Sequence, residues 1–160
     1  MTTTSAAPGT RSWLSLLPFL AAVAAVAVVG GLAAGSAGDT YRDLDLPPFA
    51  PPSWLFGPVW SVLYVMIGVA GWLLWRTRGW DAALTLWAVQ LVLNLAWTPL
   101  FFAASRYTLA LVDIVALALM ILGLIWLARS RSTTAAWLLV PYAAWVCFAT
   151  ALNAGIVILN

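Results

Sequence analysis

Tyr41 to Trp75 reads YRDLDLPPFAPPSWLFGPVWSVLYVMIGVAGWLLW. Pro47, Pro48, Pro51, Pro52 and Pro58 all fall in this stretch, out of 9 prolines in the chain, and after Asp45 it carries no charge. Proline lacks the backbone donor and biases its predecessor toward extended conformations, so the first half reads as a stiff loop rather than ordinary helix. The second half is an apolar and aromatic run that must be buried in apolar surroundings. Trp60 and Tyr64 stand four residues apart, on one face of the helix this run predicts and just below the loop. That face and that loop are expected to form the wall and lid of a ligand site.

The rest of the chain sets the environment. Of its 160 residues, 64% are hydrophobic and 8% charged, against roughly 25% charged in an average soluble domain. There is too little polar surface to clothe a soluble globule, so the composition points to a membrane protein. Histidine and lysine are absent, and the positive charges are all arginines. This removes imidazole metal chemistry and lysine Schiff bases, and no metal site is expected. The net charge is only +2, and the arginines are scattered, so no basic patch for nucleic acid forms. The single cysteine, Cys147, lies in an apolar run and reads as a small core residue.

Working outward from the opening stretch, five uncharged or nearly uncharged runs are each long enough for a hydrocarbon core of about 30 Å at about 1.5 Å per residue. They predict helices over residues 13–34, 52–75, 80–103, 107–128 and 134–159. The first run is longer than the core of a secretory signal and is expected to be a transmembrane helix. Residues 1–12 are expected to be a disordered tail, and residues 13–160 one all-α bundle of five transmembrane helices. The connections are short, so sequential helices are expected to be antiparallel neighbours. Arg11, Arg76, Arg78, Arg129 and Arg131 fall on one side, and Arg42 and Arg106 on the other. Positive residues flanking spans are retained inside. The N-terminus is therefore expected in the cytoplasm, with the proline loop and the C-terminus outside.

Trp13, Trp54, Trp75, Trp80, Trp126 and Trp137 lie near span ends, where tryptophan favours the membrane interface. Trp60, Trp97 and Trp145 lie deeper. Counting from the outer ends places Trp60, Asn94, Trp97, Ala149 and Asn153 about 9 to 15 Å down, with Trp145 at about 21 Å. Trp87, Gln90, Asn94, Trp97 and Phe101 follow steps of three and four along one face of the third span. Trp145, Ala149 and Asn153 repeat every four along the fifth. Uncapped amides are costly in lipid and turn inward, to pair with each other or with a ligand. Asp113 is the one acid within a span; it is either a functional carboxylate or an acid neutralised by Arg106 that fixes packing. Gly57 with Ser61, or Gly68 with Ala70, offers small-residue helix contacts. The far face of the third span, with Ala83, Trp87 and Ala88, is the expected dimer face.

The segments LPPFAPPSWLFGPVWSVLY, QLVLNLAWTPLFF, ALVD and LLVPYAAWVCFATALN resemble, in order and spacing, the signature runs of the tryptophan-rich sensory protein family. This is also called the translocator protein, peripheral benzodiazepine receptor or TspO/MBR family, and the likeness is to its bacterial members. The resemblance implies five transmembrane helices, a homodimer and binding of porphyrins. By motif, Trp60 and Trp145 are similar to the pair implicated in porphyrin binding and light-dependent porphyrin breakdown, which makes them the candidate catalytic residues. Asn94 and Ala149 are similar to pocket-lining residues. The proline loop, with Phe49 and Pro51, resembles the lid, although Thr40 and Leu46 replace the tryptophan and lysine common in the family.

The expected function is that of a membrane receptor or regulator binding protoporphyrin-type tetrapyrroles in an aromatic cavity beneath the first loop. An enzyme degrading porphyrin through tryptophans, with light and oxygen, is the first alternative; a porphyrin or lipid transporter is the second. The ligand-binding set is Phe49, Pro51, Trp60, Tyr64, Asn94, Trp97, Trp145, Ala149 and Asn153. The porphyrin is a ligand or substrate, and no resident cofactor is expected. The partners expected are membrane lipid and a second copy of the chain.

Overall fold

The computed structural model describes residues 13–35 and 37–160. The tail expected over residues 1–12, Arg11 included, lies outside them. Among the described residues, five helices are long and apolar enough to cross a membrane. A 3₁₀ turn, Trp13–Leu16, leads into α1, Leu17–Ala33. After a short helix α2, Ala37–Asp43, the chain runs irregularly to a second 3₁₀ turn, Ser53–Leu55, and enters α3, Phe56–Arg78. Then come α4, Ala82–Thr98, with a π turn Pro99–Ala103, and α5, Tyr107–Arg129, and α6, Thr133–Leu159.

The helix bounds follow from local chemistry. Asp81 starts α4 by accepting from the Ala83 and Leu84 amides at 2.9 and 3.1 Å, and the Ser132 hydroxyl does the same for Ala135 at 3.2 Å at the start of α6. Gly79, with φ at 72°, stops α3 in a conformation that side chains disfavour. Pro99 donates no hydrogen bond, and the turn after it closes wide, with the Ala104 amide reaching the Pro99 carbonyl at 2.9 Å. The proline loop is more ordered than the sequence predicts. It is helical as far as Asp43, turns tightly with the Ala50 amide on the Pro47 carbonyl, and is pinned by the Tyr41 hydroxyl on the Pro51 carbonyl at 3.0 Å.

The helices close into a ring in which chain order is not spatial order. α5 packs against α4 and α6, α6 also against α3, and α1 against both α3 and α4. α3 and α4, though joined by a short loop, are not the close neighbours that loop predicts: α6 and α5 on one side, and α1 on the other, stand between most of their length. They touch chiefly where Trp87 of α4 lies over Gly71 of α3 and donates to the Ile67 carbonyl at 2.9 Å. Ala83 and Trp87 are therefore buried within the chain, which removes them from the dimer face they were expected to form. Near the same end Arg131, before α6, binds Asp81 at 2.6 Å and locks the α3–α4 and α5–α6 connections together.

Gly68 provides a close helix contact, facing Leu20 and Val23 of α1, whereas Gly57 and Ser61 are exposed and provide none. Cys147 is exposed rather than a core residue. Trp13, Trp54, Trp80, Trp126 and Trp137 present their rings outward at the bundle ends, where an indole suits the interface between acyl chains and headgroups. Arg129 stacks over Trp126 at 4.0 Å.

A candidate ligand cavity between the helices

Because α3 and α4 separate beyond Trp87, a cavity of about 640 Å³ opens between all five long helices in the half of the bundle beneath the proline loop, with Ile114 and Leu117 of α5 on its inner side. A hydrogen-bonded chain underlies its floor, to which Tyr64 and Asn94 contribute directly. The Tyr64 hydroxyl donates to Asn94 Oδ1 at 2.9 Å, Asn94 Nδ2 donates to the Tyr142 hydroxyl at 3.1 Å, and that hydroxyl donates to Gln90 Oε1 at 2.7 Å. Gln90 Nε2 ends the chain on the Trp87 carbonyl at 3.0 Å. Gln90, Asn94 and Tyr142 are all buried. Every link is satisfied, which matters where no water is at hand to replace a lost partner.

The walls are aromatic. Trp60 lies 5.4 Å from the Tyr64 ring and 6.1 Å from Tyr142; Trp145 packs edge-on to Phe56 at 5.8 Å. Trp60, Tyr64, Asn94, Trp97, Trp145 and Ala149 all border the one cavity, so six residues picked from four-residue spacing and motif likeness come together. The Trp145 Nε1 is buried and, among the described residues, has no hydrogen-bond partner. It is a donor left over after folding.

Three other expected site residues sit apart from the cavity surface. Asn153 stands behind it: its Oδ1 accepts from Trp97 Nε1 at 3.2 Å and its Nδ2 donates to the Tyr107 carbonyl at 3.0 Å, so it orients Trp97. Phe49 is exposed on the loop and packs edge-on to Phe148 at 6.3 Å. Pro51 serves the roof through the carbonyl that holds Tyr41. Tyr41 itself borders the cavity, as do Phe56, Thr98 and Phe102. None of these four was picked from sequence. Asp113 does not border the cavity; its Oδ2 is buried with no hydrogen-bond partner among the described residues, and no pairing with Arg106 is present among them.

Chemically, the cavity offers flat π faces on several sides and, at Tyr64 and Asn94, polar groups whose hydrogen bonds are already spent. That combination suits a planar, largely apolar molecule. Comparison with known proteins agrees with this arrangement of motifs. Residues 19–159 match the TspO/MBR family. The chain is 36% identical to the tryptophan-rich protein TspO of Archaeoglobus fulgidus, over 92% of this chain and 97% of that one. It is 35% identical to a tryptophan-rich sensory protein of Cereibacter sphaeroides, over 88% of each. To the human translocator protein it is 38% identical, over 71% of this chain and 70% of that one.

Proposed function

The chain belongs to the TspO/MBR family, and from that membership we propose that this integral, multi-pass membrane protein is a receptor for protoporphyrin-type tetrapyrroles held in the cavity beneath the proline loop. The observation that carries the proposal is the meeting of Trp60, Trp97 and Trp145 around one space of about 640 Å³, within the range of about 300–1,000 Å³ typical of small-molecule sites. A macrocycle gains from indole faces on both sides.

The test is titration of the protein in lipid nanodiscs with protoporphyrin IX while following tryptophan emission. Saturable quenching at one equivalent per chain supports the site; linear quenching that matches free indole rules it out. A second reading, breakdown of the bound porphyrin, is favoured by the placing of Trp60 and Trp145 on the same cavity, since an indole that gives up an electron must lie close to the molecule it reduces. The end bearing Arg76, Arg78, Arg129 and Arg131 is proposed to be cytoplasmic. A homodimer built on α4 would have to use outward residues such as Val89 and Val92.

A further inference from the structure

We infer that the cavity opens sideways into the bilayer between α1 and α3, and that its ligand is a membrane-dissolved molecule that slides in edge-first from the leaflet on the loop side. The identity of that ligand rests on the function proposed above; the opening does not.

α1 and α3 diverge. Halfway down α3 a Cβ on Gly68 would lie 3.0 Å from Leu20 and 3.2 Å from Val23, so the two helices are in tight contact there. Toward the loop, Gly31 of α1 and Gly57 of α3 face open space, with nothing within 4 Å of a Cβ on either. Both glycines, and Ser61 one turn below Gly57, border the cavity and are themselves exposed, so the wall between the two helices is left uncovered there as a slot. Gly57 also precedes Pro58 inside the first turn of α3, where a Cβ would clash with the proline ring, so backbone geometry favours the residue that leaves the slot open.

On the loop side the chain is fastened. Tyr41 roofs the cavity and is tied to Pro51, Pro47 packs against Gly155 of α6, and the Asn160 side chain holds the loop backbone at Asp45. Gly31 lies two residues from the end of α1 and Gly57 one from the start of α3, within about 3 Å of the helix ends. Ser61 lies about 8 Å below the start of α3. The slot therefore sits at the boundary of headgroups and acyl chains, where a flat apolar molecule with a polar rim concentrates.

The test uses a cysteine on the cavity wall, Ala149→Cys, in a Cys147→Ser background, reconstituted in lipid vesicles. Two thiol reagents are compared: pyrene maleimide, which dissolves in the bilayer, and a sulfonated maleimide, which stays in water. The expected result is modification at least ten-fold faster by the bilayer reagent. Adding Gly31→Leu and Ser61→Leu should slow that reaction about ten-fold, Gly31→Val alone should slow it partially, and Val29→Leu, exposed on the opposite face of α1 from Gly31, should not change it. Faster labelling by the sulfonated reagent, or an undiminished rate in both Gly31 variants, overturns the lateral opening. Absence of protoporphyrin quenching with the labelling pattern intact overturns the ligand and leaves the slot standing.

Discussion

The side-chain amide of Asn160 pairs with the backbone of Asp45 at both ends: its Oδ1 accepts from the Asp45 N–H and its Nδ2 donates to the Asp45 carbonyl, each at 3.1 Å. A single side chain thus imitates a strand pairing and fastens the loop to the end of α6. The same amide also reaches the Ile156 carbonyl at 3.0 Å, which keeps it in position.

Asn160→Ala removes both bonds at an exposed site, a loss of about 1 kcal/mol. Amide exchange in residues 44–50 is expected to accelerate about five-fold, by local opening, while the amides of α4 and α5 keep their rates. Asp45→Ala leaves the backbone groups in place and is expected to change little. Equal acceleration by both substitutions would show that the loop is held in another way.

Gly71→Ala pushes a methyl group into the Trp87 indole, which cannot retreat without giving up its bond to the Ile67 carbonyl. Overpacking of this kind costs about 1–3 kcal/mol. The thermal midpoint in detergent should fall, and the second substitution Trp87→Leu should recover part of the loss. Gly31→Ala, in open space on α1, serves as the counter-case: it should be neutral or slightly stabilising, because alanine favours helix.

Tyr142→Phe strips the centre out of the floor and leaves Gln90 Oε1 and Asn94 Nδ2 without partners in the interior. We expect about 1–3 kcal/mol of destabilisation. Tyr64→Phe breaks a single link at the cavity edge, where a ligand can replace it, and is expected to cost less than half as much. Denaturation of the two variants in matched micelles checks the order; a reversal would mean the chain is anchored at Tyr64.

Tyr142 also marks where the sequence becomes hard to read. The five spans stand out because an uncharged run of that length has nowhere to go but lipid, and the amides Gln90 and Asn94 mark the inward face of α4. Where no amide stands, both faces of a helix are apolar, and periodicity does not separate core from lipid. Trp87 could equally have faced a second chain; its burial depends on Gly71 of another helix, a pairing invisible in either run alone. The ring order, with α6 beside α3, is set by such pairings too. Tyr142 had a signal, since it shares a face with Trp145 and Ala149 at steps of three and seven. Asn153 shares that phase as well, yet Tyr107 and Trp97 take up both ends of its amide, so it supports the wall instead of forming it.

The Asp81 carboxyl responds to pH through its folded environment. Burial pushes it up, but the Leu84 amide, the Arg131 guanidinium and the Ala83 amide together outweigh burial and hold it below the ordinary value of 3.8. A depressed carboxyl contributes stability that is fully present above its unfolded value and fades as pH falls through the lower folded one. Asp81→Asn should therefore lower the thermal midpoint at pH 7, with a cost of about 1 kcal/mol. The gap to the parent protein should begin to narrow at about pH 5 and close mainly below about pH 4, where more than half of the unfolded carboxyl is protonated. A gap that is constant down to pH 2.5 would assign the loss to the cap geometry and not to the charge.

Trp60 and Trp145 decide between wall and reagent. Both border the cavity, and phenylalanine in either place keeps an aromatic face but loses indole area. Each substitution is expected to weaken protoporphyrin binding by about 1 kcal/mol, roughly five-fold. Trp60 touches Tyr64 and Tyr142 through ring contacts alone, so Trp60→Phe should leave the floor bonds and the melting temperature nearly as they were. If the tryptophans also act chemically, under light and oxygen, the Trp60→Phe, Trp145→Phe double variant should bind weakly and yet form no product at saturation, because phenylalanine is a far poorer electron donor than indole. Rates are to be compared at saturating protoporphyrin, with product followed by absorbance. Loss of affinity with an unchanged saturated rate confines both residues to the wall, and loss of rate far beyond the loss of affinity makes them participants in the reaction.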